Sequence, residues 1–253
     1  MLKRIDIEDK SLEIFYNRKF KNAHESNSYF ALYKGENKVV KLFKEKENID
    51  NKIKKIILLN KRLKKINFVV TADSFITKNN EIIGYMMPYI DGDNVYMKKT
   101  LSKQDYINYL KALAKHIKQL HKLNIVLADF HSNTIISNNK IYFIDHDNFA
   151  IDELPIDLKN IYLKKYEKHI KQFDKRFDYY LLNLHTIATL KKIYTPYIYP
   201  CFKANPREFN FKDKEIYDIF NHTMNLNKFY NEDLIIDKIN NVKDLKKIRT
   251  RIF

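Results

Sequence analysis

The stretch at residues 127–147, LADFHSNTIISNNKIYFIDHD, decides how this chain folds. Two short apolar runs, TIIS and KIYF, flank an Asn-Asn pair at 138–139, which is typical of a tight turn between strands. Asp129 follows four apolar residues, Asn133 comes four positions later, and Asp145 ends the run IYFI. Carboxylates at the polar ends of buried strands are common in functional sites, so these positions are candidates for chemistry.

A fourth polar position lies far upstream, where Lys41 interrupts the apolar run VVKLF. A buried ammonium without an anion costs several kcal/mol, so Lys41 either reaches water at a strand edge or pairs with phosphate. Asp145 and Asp147, with the side-chain oxygen of Asn133, suit the hard ion Mg²⁺. A lysine, a candidate base at Asp129 and two metal-ligand positions are the minimum set for moving the terminal phosphate of a nucleotide.

The first hundred residues alternate short apolar runs with polar turns, which predicts a small antiparallel sheet. The predicted strands are SYFALYK, KVVKLFK, FVVTADSFIT and IIGYMMPYI, and the turns are GEN and KNNE. Between the second and third runs, residues 47–66 predict a helix. Its apolar face comprises Ile49, Ile53, Ile56 or Ile57, and Leu63.

From Ser102 onward the pattern becomes helical. Ser102 and Asp105 have the spacing of a helix start, and a single apolar stripe follows at Tyr106, Leu110, Leu113, Ile117 and Leu120. After the predicted hairpin, the chain beyond Pro155 is again mainly helical in pattern. The sequence therefore predicts an α+β protein with a β-rich domain at 1–90 and a mainly helical domain at 91–253.

In order and in context, these segments resemble the protein-kinase-like fold over about residues 25 to 240. VVKLF is similar to the strand with the phosphate-pairing lysine, GYMMPYIDGDNV to the strand entering the hinge, and YFIDHDNF to the metal-binding Asp-Phe-Gly segment. LHKLNIVLADFHSNTII resembles the catalytic loop, with His121 as the bracing histidine at the helix end. Asp178 resembles the aspartate that braces this loop from behind. The resemblance implies two lobes: a small antiparallel sheet with one helix, and a mainly helical lobe.

The resemblance also implies roles for individual residues. Asp129 would accept or orient the proton of the acceptor hydroxyl, Asn133 and Asp145 would hold Mg²⁺, and Lys41 would clamp the phosphates of ATP. The implied nucleotide-binding positions are Lys41, Glu47 as its acidic partner, Met87 and Tyr89 in the hinge, and Ser26 and Ser28 in place of the glycine-rich turn.

Several residues depart from the family pattern. Leu127 and Ala128 replace the His-Arg pair before Asp129, and Asp147 replaces the glycine of the metal segment. His131 is the residue type of aminoglycoside- and choline-type kinases. We expect an ATP- and Mg²⁺-dependent enzyme that phosphorylates Ser or Thr hydroxyls on protein. The alternatives are a small-molecule kinase of the aminoglycoside or choline type, and a pseudokinase or basic nucleic-acid-binding module.

Charge and cysteine content restrict the compartment and partners. The formal net charge is +16, which attracts polyanions, but the lysines are spread along the chain, so nucleic acid is not the favoured partner. Cys201 is the single cysteine, which excludes an intramolecular disulfide. The N-terminal residues lack the apolar core of a signal peptide, and no apolar run is long enough to span a bilayer. These features predict a cytoplasmic protein without membrane association.

Overall fold

The computed structural model describes residues 2–20, 26–44, 49–94, 102–128, 130, 133–155, 175–190, 209–211, 213–224 and 233–250. In chain order its elements are β1 (Lys3–Asp6), β2 (Leu12–Lys19), β3 (Ser26–Tyr33), β4 (Glu36–Phe43), α1 (Ile49–Arg62), β5 (Ser74–Lys78), β6 (Glu81–Pro88), β7 (Asp93–Asn94), α2 (Lys103–Lys122), β8 (Ile125–Val126), β9 (Thr134–Ser137), β10 (Lys140–Phe143), β11 (Ala150–Ile151), α3 (Lys175–Leu190), β12 (Phe209–Phe211), α4 (Lys214–Met224) and β13 (Ile248–Thr250). The protein is therefore α+β, as the sequence predicts.

The chain divides into two compact units. The first comprises residues 1–93 and 129–164, and the second comprises 94–128 and 165–253. The sequence-based division at residue 90 lies close to the first of these boundaries, but residues 129–164 join the first unit. No described helix is both long enough and apolar enough to cross a membrane.

A six-stranded sheet in the order β1-β5-β6-β4-β3-β2 forms the first unit. Neighbouring strands run antiparallel except for the parallel pair β1 and β5. Lys34 and Gly35 connect β3 to β4 with φ of 52° and 80°, the left-handed geometry that a two-residue hairpin loop requires. This connection aligns β4 so that Lys41 lies in the middle of the sheet.

Alternating residues of the strands fill two separate cores, one on each face of the sheet. Val39, Phe75, Tyr85 and Met87 pack on one face together with Ile56 of helix α1. Val40, Ile76 and Met86, their neighbours in sequence, pack on the opposite face with Ile5, Leu12 and Ala31. Of the two isoleucines predicted for the helix face, Ile56 is buried and Ile57 is exposed.

The β9–β10 hairpin has the geometry that the sequence predicts. Asn138 and Asn139 both have positive φ, 48° and 59°, which fits the loop of a two-residue hairpin. The hairpin bonds to residues 68–70, because Val70 N donates to Phe143 O and Phe143 N donates to Phe68 O, each at 2.8 Å. Residues 68–73 are thus not part of a sheet strand, and the prediction of one strand over 68–77 is wrong in its first half. Strands β1 and β2 were not predicted.

In the second unit, α2 begins at the predicted N-cap. The Ser102 hydroxyl accepts a hydrogen bond from Asp105 N, and the Asp105 carboxylate accepts one from Ser102 N, both at 3.1 Å. All five residues of the predicted stripe are buried: Tyr106, Leu110, Leu113, Ile117 and Leu120. Asn183 of α3 donates to Asp233 O and accepts from Ile235 N, which fixes α3 against the C-terminal segment.

Gly84→Ala tests the close approach of β6 to β4. A Cβ at Gly84 would lie 2.2 Å from the backbone oxygen of Lys41 and 3.0 Å from Leu42 Cα, and backbone atoms cannot move aside by changing rotamer. We expect the free energy of unfolding to fall by about 3 kcal/mol, measured by chemical denaturation. Gly35→Asn is the milder comparison, because nothing lies within 4 Å of its Cβ position and asparagine tolerates positive φ better than most residues, so only backbone strain of about 1 kcal/mol is expected. Equal stability of both variants would contradict the packing.

The stability of the second unit should depend on pH through His185. Burial lowers the pKa of His185 to about 3, while an unfolded histidine titrates near 6.5. As pH falls below 6.5, the unfolded chain binds a proton that the folded chain refuses, so folding stability falls by about 1.4 kcal/mol per pH unit. His185→Phe keeps a ring against Tyr109 and removes this proton. Its denaturation profile between pH 6.5 and 4.5 should be shallower than that of the natural protein.

Parallel profiles for the two proteins would contradict a buried neutral His185. Some slope should remain in the variant, because burial also lowers the pKa of His116, in the same unit, to about 4. The comparison therefore measures a difference of one proton, not the disappearance of the pH dependence.

Candidate functional site

Lys41 lies in the centre of β4 and points to the face of the sheet that α1 covers. Its strand neighbours across the ladder are Ser28 on β3 and Tyr85 on β6. Residues directly opposite each other in an antiparallel pair share a face, so Ser28, Lys41 and Tyr85 lie side by side. The surrounding side chains of this face are apolar, which means that the ammonium group depends on a nearby anion for neutralisation.

Two aspartates of the predicted metal segment neutralise Lys41. Its Nζ donates to Asp145 and, at 2.7 Å, to Asp147 Oδ1, while the Lys41 side chain is only 3% exposed. The hydroxyl of Tyr85 also donates to Asp147 Oδ1 at 2.7 Å, and Lys41 Nζ lies 5.8 Å from the centre of the Tyr85 ring. The alternative that Lys41 reaches water at a strand edge is therefore wrong, because the lysine is buried and ion-paired.

Charge and burial act in opposite directions on this cluster. Burial alone would lower the pKa of Lys41, but the charges of Asp145 and Asp147 raise it above its ordinary value. Burial would likewise raise the pKa of Asp147, but Lys41 and the hydrogen bonds that the carboxylate accepts hold it well below the ordinary range. For Asp145, burial and the charge of Asp147 outweigh Lys41 and raise the pKa. Asp147 is thus the firmly ionised partner of Lys41.

The backbone near Asp145 differs from the extended segment that the sequence suggested. Asp145 has φ of 65°, a left-handed conformation that is uncommon outside glycine, and His146–Asn148 form a 3-10 helix. Asn148 Nδ2 donates to Asp145 Oδ2 at 2.7 Å, which fixes the turn. The turn brings both aspartates to the same lysine, although an extended chain was expected to place them on one side.

Asn133 and Asp145 come together at the open end of the β9–β10 hairpin. Ile144 N donates to Asn133 O at 2.8 Å, so Asn133 lies beside the residue that precedes Asp145. The predicted metal ligands therefore share one end of the hairpin within the first unit. Asp129, His131 and Glu47 lie outside the described residues.

The remaining predicted nucleotide-binding positions fall on the same sheet. The hydroxyl of Ser26 is buried and has no hydrogen-bond partner among the described residues, and Ser28 lies opposite Lys41. Met87 is buried opposite Val39. Tyr89 N donates to Asn37 O of β4 at 3.3 Å, so this amide is already hydrogen-bonded to the sheet.

Sequence reasoning missed three aromatic contributions to this face. Tyr85 supports Asp147, as described above. Phe30 lies edge-on to Tyr89 with ring centres 5.4 Å apart, and Phe20 stacks on Tyr89 at 6.2 Å. The available signal was the register of β3, β4 and β6, since Phe30, Val39 and Met87 occupy opposite positions. Flat apolar rings next to a buried cation and an unbonded hydroxyl form a surface that suits a base and its phosphates.

A second polar arrangement lies in the other unit, where Asp178 of α3 accepts from the loop after α2. Its Oδ2 accepts from Leu127 N at 2.9 Å and lies 2.8 Å from His121 Nε2, and its Oδ1 accepts from Ala128 N at 2.7 Å. Asp178 is fully buried. Ala128 has φ of 56°, a strained conformation for alanine, which these hydrogen bonds maintain. The two bracing residues expected from the sequence, Asp178 and His121, thus contact each other, and Asp178 also holds this loop.

The donor set at the hairpin end fits Mg²⁺ better than a transition metal. The described residues contain no group of three or more His, Cys, Asp or Glu side chains that could hold a metal ion. Magnesium is usually held by one or two carboxylates together with phosphate oxygens and water, so Asp145 and Asn133 are an adequate protein contribution. Two carboxylates against one ammonium also leave a negative charge for a cation to neutralise.

Comparison of the chain with protein-family models and with curated proteins found no match.

Asp178→Asn tests the brace in the second unit. The amide group of asparagine would place a donor against a backbone N–H, and a buried polar contact would be lost. We expect the free energy of unfolding to fall by about 3 to 5 kcal/mol in chemical denaturation. Asp237→Asn, which removes the exposed ion pair with Lys118, should cost at most about 1 kcal/mol. Equal losses in the free energy of unfolding for the two variants would contradict the role of Asp178 as a brace.

Proposed function

We propose that this protein is an ATP- and Mg²⁺-dependent phosphotransferase with a two-lobed protein-kinase-like fold. The observation that carries the proposal is the ion pair between the buried Lys41 and Asp145, with Asn133 beside the residue that precedes Asp145. Lys41 lies 104 positions before Asp145 in the sequence, and the three residues have the functional groups that phosphoryl transfer needs. The Asp178 brace supports the proposal independently, since it fixes the backbone immediately before Asp129.

The residues of the chain would act by placement and charge neutralisation. Lys41 supplies a fixed positive charge to the phosphates, and its burial strengthens that interaction because little water screens it. Ser26 and Ser28 supply hydroxyls on the same sheet in place of the backbone amides of a glycine-rich turn. Asp129 orients the acceptor hydroxyl and takes its proton. Asn133 and Asp145 would hold Mg²⁺, which would supply charge neutralisation at the phosphate oxygens.

The base-binding region in this proposal is the aromatic surface formed by Phe20, Phe30 and Tyr89. Phe30 and Tyr89 belong to the face of the sheet that carries Lys41, and Phe20 stacks on Tyr89. Rings can stack on a base without choosing among bases, so this surface supports nucleotide binding but does not select ATP over GTP.

The acceptor in this proposal is a Ser or Thr hydroxyl on protein. The helix carrying Asp178 favours a protein-kinase-type enzyme, and a small-molecule acceptor of the aminoglycoside type is the alternative within the same chemistry.

Nucleic-acid binding is a second candidate function, favoured by one observation. The guanidinium of Arg18, on the edge strand β2, lies 5.5 and 5.8 Å from the ring centres of Phe15 and Phe30, and the net charge is +16. Arginine and aromatic rings together bind single-stranded nucleic acid. Such binding would weaken steeply with salt and would not respond to changes at Asp129 or Asp145.

A thermal shift assay and a transfer assay test the proposed enzyme. Nucleotide with Mg²⁺ at 100 times its Kd should stabilise the natural protein by about 2.7 kcal/mol, which raises Tm by roughly 5 °C or more. Asp145→Asn should lose the part of this shift that depends on Mg²⁺. Asp129→Asn should keep the shift and lose transfer of labelled phosphate. Asp218→Asn, an exposed position on α4, is the control and should match the natural protein.

The acceptors to compare are the protein itself, a generic protein mixture and aminoglycosides. A shift without transfer to any acceptor would favour a pseudokinase. Absence of any nucleotide-dependent shift would rule out both kinase proposals, and full turnover by Asp129→Asn would rule out the role given to that residue.

A further inference from the structure

We propose that Asp147, held by the hydroxyl of Tyr85, is the permanent anchor of Lys41, whereas Asp145 is an exchangeable partner that a cation can take over. The inference rests on the proposed function for its catalytic consequence, but the anchor itself is a property of the folded chain. It assigns a role to two residues, Asp147 and Tyr85, that the sequence did not single out as the partners of the lysine.

The two aspartates differ in exposure although both contact Lys41. The side chain of Asp147 is 2% exposed and that of Asp145 is 17% exposed. A buried carboxylate that loses its cation has no water to replace it, so separation of Asp147 from Lys41 is costly. A carboxylate that water still reaches, as at Asp145, can exchange one cation for another at lower cost. Asp145 is therefore the side that faces an incoming ion.

The hydrogen-bond partners of the two carboxylates differ in the same direction. Asp147 Oδ1 accepts from both Lys41 Nζ and the Tyr85 hydroxyl, each at 2.7 Å. Tyr85 is fully buried, and its backbone lies opposite Lys41 on the neighbouring strand. The anchor is thus attached to the same sheet as the lysine. Asp145 also accepts from Lys41, but its other hydrogen-bond donor is Asn148, a residue of its own turn.

Helix α1 supplies no partner for Lys41. Its only acidic residue is Asp50, which is exposed in the first turn. The helix is attached elsewhere: Lys55 Nζ donates to Pro155 O at 2.7 Å, and Arg62 makes two hydrogen bonds of 2.7 Å to Asp152. The resemblance to protein kinases predicts that this helix presents the acid that pairs with the lysine. Glu47, just before the helix, was the candidate.

A regulatory consequence follows for the proposed site. When a helix carries the partner of the lysine, any movement of that helix changes the position of the lysine. Here Lys41 is anchored through Tyr85 to the strand beside its own, so its position is set by the sheet. The lysine should stay in place whether or not α1 moves, and the site should need no helix movement to become competent.

The anchor can be tested without nucleotide by ¹H–¹⁵N NMR of lysine ammonium groups. An ammonium signal is visible only where burial and hydrogen bonds slow its exchange with water. Lys41 should give such a signal, identified by its loss in Lys41→Arg. Lys55, which is also buried and bonded to Pro155 O, provides an internal reference for a folded first unit. In a spectrum that retains the Lys55 signal, the first unit is folded, and loss of the Lys41 signal then reports on Lys41 itself.

The proposal expects different results for the variants. Asp147→Asn should remove the Lys41 signal, and Tyr85→Phe should broaden it or shorten its exchange lifetime by about tenfold, as for one lost hydrogen bond of about 1.4 kcal/mol. Asp145→Asn should retain the signal, as should Glu47→Gln and the control Asp50→Asn. Retention in Asp147→Asn, or loss in Glu47→Gln or Asp145→Asn, would overturn the assignment.

Kinetics test the positioning role if transfer is observed. Asp147→Asn should lower kcat by about 100-fold, as expected for a misplaced group, while KM for ATP changes only severalfold. Tyr85→Phe should give a smaller loss in kcat in the same direction. Equal loss in Glu47→Gln would overturn the proposal. If the natural protein itself does not bind nucleotide, the proposed function fails. The NMR result still decides whether Asp147 is the anchor.

Discussion

The structure of the first unit depends on the neutralisation of one buried positive charge. Lys41 stands on a central strand whose neighbours are apolar, and its ammonium lies too deep for water to solvate it. The loop after β10 must therefore stay where its two carboxylates reach the lysine. The left-handed backbone at Asp145 and the 3-10 turn after it accompany this arrangement.

Backbone hydrogen bonds also hold the end of the hairpin, to the segment that precedes β5 and within the hairpin itself. Phe143 exchanges bonds with residues 68 and 70, and Ile144 donates to Asn133. The charge cluster and the backbone bonds thus hold one segment from two sides. In the proposed enzyme this fixation is useful, because phosphoryl transfer needs little chemistry from the protein and much accuracy in the placement of charge. The Asp178 brace does the equivalent work in the second unit, where it holds a strained alanine before Asp129.

Much of the fold could be predicted from local signals. The cap at Ser102 and Asp105, the buried stripe of α2 and the Asn138–Asn139 turn were all visible, because they depend on residues close together in the chain. The prediction of one strand over 68–77 was wrong in its first half because the hydrogen-bond partners there are distant in the sequence. Its first residues have strand-forming side chains, but their backbone groups bond to Phe143, more than seventy positions away. Strands β1 and β2 were missed because their apolar alternation is short and interrupted by charges.

By itself the sequence determined which functional groups are present and in what order: a lysine in an apolar run, an Asp-x-x-x-Asn segment, a hairpin and an Asp-His-Asp segment. It also determined the α+β class, since periodicity is a local property. Only the tertiary structure decided which carboxylate holds the lysine. That choice between Glu47, Asp145 and Asp147 depends on burial and on the position of the Tyr85 hydroxyl across the sheet. Ion pairing between distant residues depends on where the strands pack, so it cannot be predicted from spacing along the chain.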